Sequence, residues 1–370
     1  MSLQQAAQAA LAVRNRVFWA APSILAAALL FVSCGNSSKS SAHHDAYVTL
    51  PQHGAVALLH VNDDLGAITV VSQTPTVAGI SPVGLALHPS GKFLYTANSQ
   101  ANTVSTFNVA GDGTLTATGI TVNTGSGPRT AVIDPSGKFL LVLNSLTSDV
   151  SVFSVDAASG ALTEVAGSRF PAGADPTDLQ ITPSGKFVYI ANPNSGLILG
   201  FSFGADGSLT SLGAPFNART GVDGIAIDAS ERFLYAANGT DNSVSAFSIA
   251  ANGALTTIFG SPYKVQTGPR GIVVDPSTKF LYVANQGSNN ISGFTIAADG
   301  TLTAMTTTVS GVTAPIFVMA EPAGKFIYVG NQGGNTISSF SYDSTTGLLT
   351  AVSGSPFSTG TPPGAMIVVH

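Results

Sequence analysis

One eight-residue phrase recurs through the chain and limits what it can fold into. It reads GKFLYTAN at 91–98, GKFLLVLN at 137–144, GKFVYIAN at 185–192, ERFLYAAN at 231–238, TKFLYVAN at 278–285 and GKFIYVGN at 324–331. Its closing asparagines, Asn98, Asn144, Asn192, Asn238, Asn285 and Asn331, are spaced by 46, 48, 46, 47 and 46 residues. A period of roughly 45 residues holding several short strands belongs to the blades of a propeller, not to a helical solenoid.

Each unit supports that reading. An apolar run such as Thr130–Ile133 follows a proline and ends at Asp134-Pro135-Ser136-Gly137. The Lys-Phe strand comes next, with Phe, Tyr and Ala alternating onto one face at the strand period of two. A third strand such as 103–109 leads through Gly111-Asp112-Gly113 into a fourth beginning at Leu115. Asp-Gly between strands favours a tight hairpin, because these residues tolerate positive φ. The acidic-glycine turns at Asp112, Asp206 and Asp299 each offer one carboxylate where calcium needs six or more oxygens, so they are expected to be turns.

Six copies leave the closure of the ring to be explained. Counting 48 residues back from Tyr95 reaches Tyr47, inside a matching strand, Tyr47-Val48-Thr49-Leu50. Its missing inner strand lies at the other end, where Pro363–Val369 aligns with Pro269–Asp275. The expected fold is all-β: a seven-bladed β-propeller over 45–370, with four-stranded antiparallel blades and a last blade built from both termini. Such closure removes two unpaired sheet edges.

Composition agrees. Charged residues are only 9% of the chain, yet apolar residues make up 44%, which suffices for a core; 40 Gly and 20 Pro supply turns. The net charge is −5, with no Lys/Arg cluster, so nucleic acid is excluded as a partner. The single cysteine, Cys34, excludes an intramolecular disulfide framework. Arg14 and Arg16 precede an apolar run, Val17–Val32, and then Ser33 and Cys34. This pattern predicts a signal peptide over 1–33, too short and too proline-interrupted for a transmembrane helix. The ending FVSC at 31–34 resembles a bacterial lipobox, departing from it at Phe31. The resemblance implies lipidation of Cys34, ahead of a polar linker over 34–44, and attachment to the cell envelope by that anchor alone, in the outer membrane or facing the periplasm if the cell has one; a monomer is expected.

The repeated phrase resembles the YVTN repeat and the bacterial lactonase family of seven-bladed propellers. That family includes propeller-type 6-phosphogluconolactonases and a fungal carboxymuconate cycloisomerase. The resemblance covers roughly 45–370 and carries the fold much more firmly than any activity. Catalytic members have a Pro-His pair, a Gly-Pro-Arg-His phrase and a Glu near the end of a second strand. Gly127-Pro128-Arg129 and Gly268-Pro269-Arg270 match the arginine part, but Thr130 and Gly271 replace histidine and Gln286 replaces Glu.

Residues repeated in every blade build the scaffold, so function is expected where the repeat breaks. The position after the proline that enters each inner strand (Val222 replaces that proline in blade 4) reads Val83, Arg129, Thr177, Asp223, Arg270, Ile316 and Gly364 around the ring. Two arginine forks suit a carboxylate or phosphate. The expectation is that Arg129, Arg270 and Thr177 bind an anionic small molecule at the channel mouth, with Asp223 as a water-activating base and His53 on a loop of the same face. His43 and His44 fall in the linker, His60 is expected to point outward, and His88 replaces the turn aspartate. No pair has metal-ligand spacing, so neither metal nor cofactor is expected. Two functions follow: a non-catalytic binding or scaffold module, for an anion or an envelope protein, and, as the alternative, a lactone hydrolase of the 6-phosphogluconolactonase type.

Overall fold

The computed structural model describes residues 42–71, 76–306 and 309–369. The apolar run at 17–32 and Cys34 lie outside them. Seven antiparallel sheets form the blades, numbered here from the one that begins at Pro82. Their inner strands are Pro82–Leu87, Pro128–Ile133, Asp178–Ile181, Val222–Ile227, Pro269–Val274, Pro315–Ala320 and, in blade 7, Met366–Val368. In blade 7 the C-terminal strand pairs with His43–Leu50, Ala46 opposite Val368 and Val48 opposite Met366. The blade made from both ends of the chain is therefore present. It begins two residues before the expected Asp45, at His43. In five of the seven sheets the fourth strand is also interrupted, and a two-residue segment after it pairs separately with the third strand. No helix among the described residues is long and apolar enough to cross a membrane.

The Lys-Phe strands explain the packing. Phe93–Asn98 and Phe280–Asn285 are buried at every position, because each blade is covered on both faces by its neighbours. Apolar residues therefore gather in seven clusters between blades, not in one central core. A tyrosine hydroxyl buried there needs an acceptor. Tyr47, Tyr95, Tyr189, Tyr235 and Tyr282 donate to the carbonyls of Gly113, Gly160, Gly253, Gly300 and Gly347, each in the outer turn of the next blade.

The asparagine column caps the turn into the third strand. Asn98 Nδ2 donates to Thr103 and Ser105 hydroxyls at 3.2 and 2.9 Å, and Asn238 and Asn331 repeat the pattern. The Asp-Gly turns are ordinary turns too. Asp112 Oδ1 accepts from the Thr114 amide and hydroxyl, and Gly113 supplies a φ of 78°. Those hydrogen bonds hold the exposed Asp112 carboxyl below its usual pKa.

Candidate functional site

The seven inner strands surround a cavity of about 820 Å³ on the ring axis, within the size range of small-molecule sites. Its mouth is formed by the loops entering the inner strands and leaving the second strands, so the residue following each entering proline stands at its rim. Long side chains from that column cross the channel. Arg270 Nε donates to Asp223 Oδ2 at 2.8 Å, and Arg129 Nη2 donates to Asp223 Oδ1 at 3.3 Å. Blades 2, 4 and 5 thus meet at one carboxylate.

A hydrogen-bonded chain extends from this triad. Arg270 Nη1 donates to Gln286 Oε1 at 3.3 Å, and Gln286 Nε2 donates to Gln332 Oε1 at 3.2 Å. Arg129 lines the cavity and makes one hydrogen bond among the described residues, through Nη2, so most of its five N–H donors have no protein partner there. Its pKa is lowered by burial, with Asp223 opposing and the nearby Arg270 charge adding to the shift. Guanidinium remains protonated regardless. Two arginines and one carboxylate carry a net charge of about +1 into a half-buried site, where an anion is attracted more strongly than in bulk water.

Both oxygens of Asp223, the residue expected to activate water, accept N–H groups from the arginines, so its carboxylate bridges the two forks. Thr177 lines the cavity, and its hydroxyl donates to the Val222 carbonyl at 3.3 Å. His53 occupies an exposed turn, Pro51–His53; Pro51 and Gln52 line the cavity, and His53 does not. Thr130 and Gly271 both line it. No histidine does so among the described residues. His88 is buried in its turn, with Nε2 2.9 Å from the Gly137 carbonyl oxygen of the next blade.

The sequence reading missed a second carboxyl. Asp178 lines the cavity one residue beyond Thr177. Its Oδ2 accepts from the Ile225 amide of blade 4, and its Oδ1 from the Leu179 amide, each at 2.9 Å. Burial raises its pKa, against those hydrogen bonds and the Arg129 charge. The equivalent position is glycine in blades 1, 4 and 5, and comparing this second column around the ring would have exposed it.

One further cluster appears far from the mouth, at the start of the His43–Leu50 strand. Asp45 pairs opposite His60, and His43 stands two residues before Asp45 on the same face. Their potential ligand atoms lie within 4.8 Å of one another. Spacing along the chain did not reveal this grouping, because strand pairing creates it. His43, Asp45 and His60 have the composition of a two-histidine, one-carboxylate metal set.

Fold and cavity define a closed seven-bladed propeller with a ligand-sized chamber on its axis. The chain belongs to the Lactonase, 7-bladed beta-propeller family, whose model matches residues 18–171, 208–297 and 261–363. No curated protein matches it. Among solved structures it is similar to a candidate 6-phosphogluconolactonase from Bacteroides fragilis, with 22% identity, a TM-score of 0.78 and coverage of 90% of this chain and 99% of that one. A periplasmic gluconolactonase from Pseudomonas aeruginosa gives 18% identity, a TM-score of 0.76 and coverage of 89% and 99%. Hydrazine synthase from Kuenenia stuttgartiensis gives 16%, 0.60, 83% and 95%. Likenesses this distant establish the common fold.

Proposed function

We propose that this propeller is a binding module of the cell envelope whose axial cavity takes up a small anion, most directly a carboxylate, on Arg129 and Arg270. The convergence of both guanidiniums on Asp223 carries this reading. A turn does not require arginine there, since Val83, Ile316 and Gly364 occupy the same position in other blades. Asp223 holds the forks in place, and the unused donors of Arg129 receive the ligand.

Calorimetric titration with small carboxylates should show binding that weakens with salt. Arg129→Ala and Arg270→Ala should each reduce affinity by about 10- to 100-fold, the effect of losing a charged hydrogen bond. Absence of anion affinity, or unchanged affinity in both variants, would overturn the reading.

Lactone hydrolysis is the second reading, supported by family membership and by Asp178, a cavity-wall carboxyl of raised pKa. Ring opening requires a base for water and a donor for the developing oxyanion. Asp178 and Arg129 would fill those roles. Fast turnover of a lactone panel, abolished by Asp178→Asn, would establish this second reading over simple binding. The envelope location depends on Cys34. Membrane fractionation of wild type and Cys34→Ala tests it, and soluble wild-type protein without an N-terminal lipid would refute it.

A further inference from the structure

The cavity wall changes character around the ring, and two blades account for most of the change. At three inner-strand positions blade 3 carries Thr177, Asp178 and Gln180, all polar and all lining the cavity. The equivalent positions of blade 6 carry Ile316, Phe317 and Met319, all apolar and all lining the cavity. Elsewhere the second and third of these positions hold smaller residues, such as Gly84 with Ala86, Gly224 with Ala226 and Gly271 with Val273. Blades 3 and 6 therefore break the repeat in opposite directions, on opposite sides of the ring.

Part of this division serves the scaffold, since the Phe317 ring lies where a Cβ on Gly330 would sit, in a column that is alanine in blades 1, 3, 4 and 5. Glycine at the second position lets neighbouring blades approach closely: a Cβ on Gly84 would meet the Arg129 carbonyl oxygen at 2.6 Å, and one on Gly224 the Arg270 oxygen at 2.4 Å. Asp178 and Phe317 fill the same position with large side chains of opposite polarity, and the ring closes around both. Met366 continues the apolar wall into blade 7, and Val83 and Leu85 continue it into blade 1. The Arg129–Asp223–Arg270 triad stands on the polar side and on its border.

We infer that the ligand is an amphipathic monoanion, a carboxylate bearing an alkyl or aryl group, and not a polyhydroxylated sugar acid or sugar phosphate. This rests on the anion reading above and specifies its chemistry. The carboxylate lies on the arginine forks, whose two positive charges outnumber the one negative charge on Asp223. The apolar group lies against Ile316, Phe317 and Met319 and displaces water that this wall cannot hydrogen-bond. A sugar acid would place hydroxyls against those side chains and leave them without partners, which disfavours it.

The test compares acetate, hexanoate, benzoate and gluconate by calorimetry against wild type and the double variant Ile316→Thr, Met319→Gln. These substitutions give blade 6 the residues that blade 3 carries at the same positions, so the fold already accommodates them there. Hexanoate and benzoate should bind wild type at least ~10-fold more tightly than acetate, from the apolar area they bury. The double variant should lose most of that advantage, read as the ratio of hexanoate to acetate affinity. Equal affinity for all four anions, or tighter binding of gluconate, would overturn the inference and leave the anion site standing. No binding of any carboxylate would overturn both. An advantage of hexanoate that survives in the double variant would also refute the assignment to blade 6.

Discussion

Tyr235 of blade 4 donates its phenolic hydrogen to the Gly300 carbonyl oxygen of blade 5, 3.0 Å away. The same clasp joins five of the seven blade junctions. Blade 2 lacks it because Leu141 stands where tyrosine recurs. In blade 6 the Tyr328 hydroxyl is buried without a partner among the described residues, and the Gly66 carbonyl of blade 7 accepts from Ser339 instead. The repeat thus supplies an internal comparison between a satisfied and an unsatisfied buried phenol.

Tyr235→Phe should destabilise the protein by about 1–3 kcal/mol, because the Gly300 carbonyl loses a buried donor. Tyr328→Phe removes a hydroxyl with no partner among the described residues and should be neutral or slightly stabilising. Urea unfolding of the two variants measures the contrast. Equal losses would show that the clasp is not what the tyrosine column contributes.

Closure can be tested separately. Deleting Pro363–His370 removes the strand that pairs with Ala46–Val48, together with the hydrogen bonds that the Val369 amide donates to the Asp45 carbonyl and the Thr49 amide donates to the Ala365 carbonyl. It also uncovers the cluster that buries Val368, where each apolar side chain contributes about 1.5–3 kcal/mol. The truncated chain should aggregate or lose cooperative unfolding. A melt like that of wild type would show that the ring does not depend on the terminal strand.

The arginine pair gives a third expectation. Asp223→Asn keeps the side chain's size and removes the charge between Arg129 and Arg270. Repulsion between the guanidiniums should then cost about 1 kcal/mol at low salt, a modest figure because the groups are partly exposed. The loss should shrink as salt screens the pair. Unfolding free energies at low and high salt decide the point, and a salt-independent loss would assign Asp223 a packing role.

Blade number, strand order and closure were legible because the repeat states its unit six times, and the split seventh blade followed from counting back to Tyr47. The rim column was legible for a related reason: Arg129, Asp223 and Arg270 interrupt an otherwise neutral series. That they share one carboxylate was not, since the meeting depends on arm length across the channel. Asp178 escaped because its column mixes glycines that serve close blade approach with Thr130, Phe317 and Ala365, so one carboxyl does not stand out against a uniform series. The His43–Asp45–His60 grouping escaped because it depends on strand register, which no local pattern near His60 specifies.

Asp178 makes the last expectation one of pH. Its folded-state pKa lies above the ordinary carboxylate value because burial opposes the charged form. The folded protein therefore holds this proton to higher pH than the unfolded chain, whose aspartates titrate near about 3.9. Over the interval between those values the folded state binds more protons, so this group's contribution to stability falls as pH rises. It is fully present below the unfolded value and lost once pH passes the folded one. Asp178→Asn removes the titration. The stability of the variant minus that of wild type should thus increase with pH through the interval and stay level above it. Other carboxyls, such as Asp112 with its lowered pKa, act in the opposite sense at acid pH, but they are common to both proteins and cancel in the difference. Urea unfolding of the pair across an acid-to-neutral series measures that difference directly. A constant difference would show that Asp178 titrates as it does in the unfolded chain, and a falling one would show that the amides of Leu179 and Ile225 and the Arg129 charge outweigh its burial.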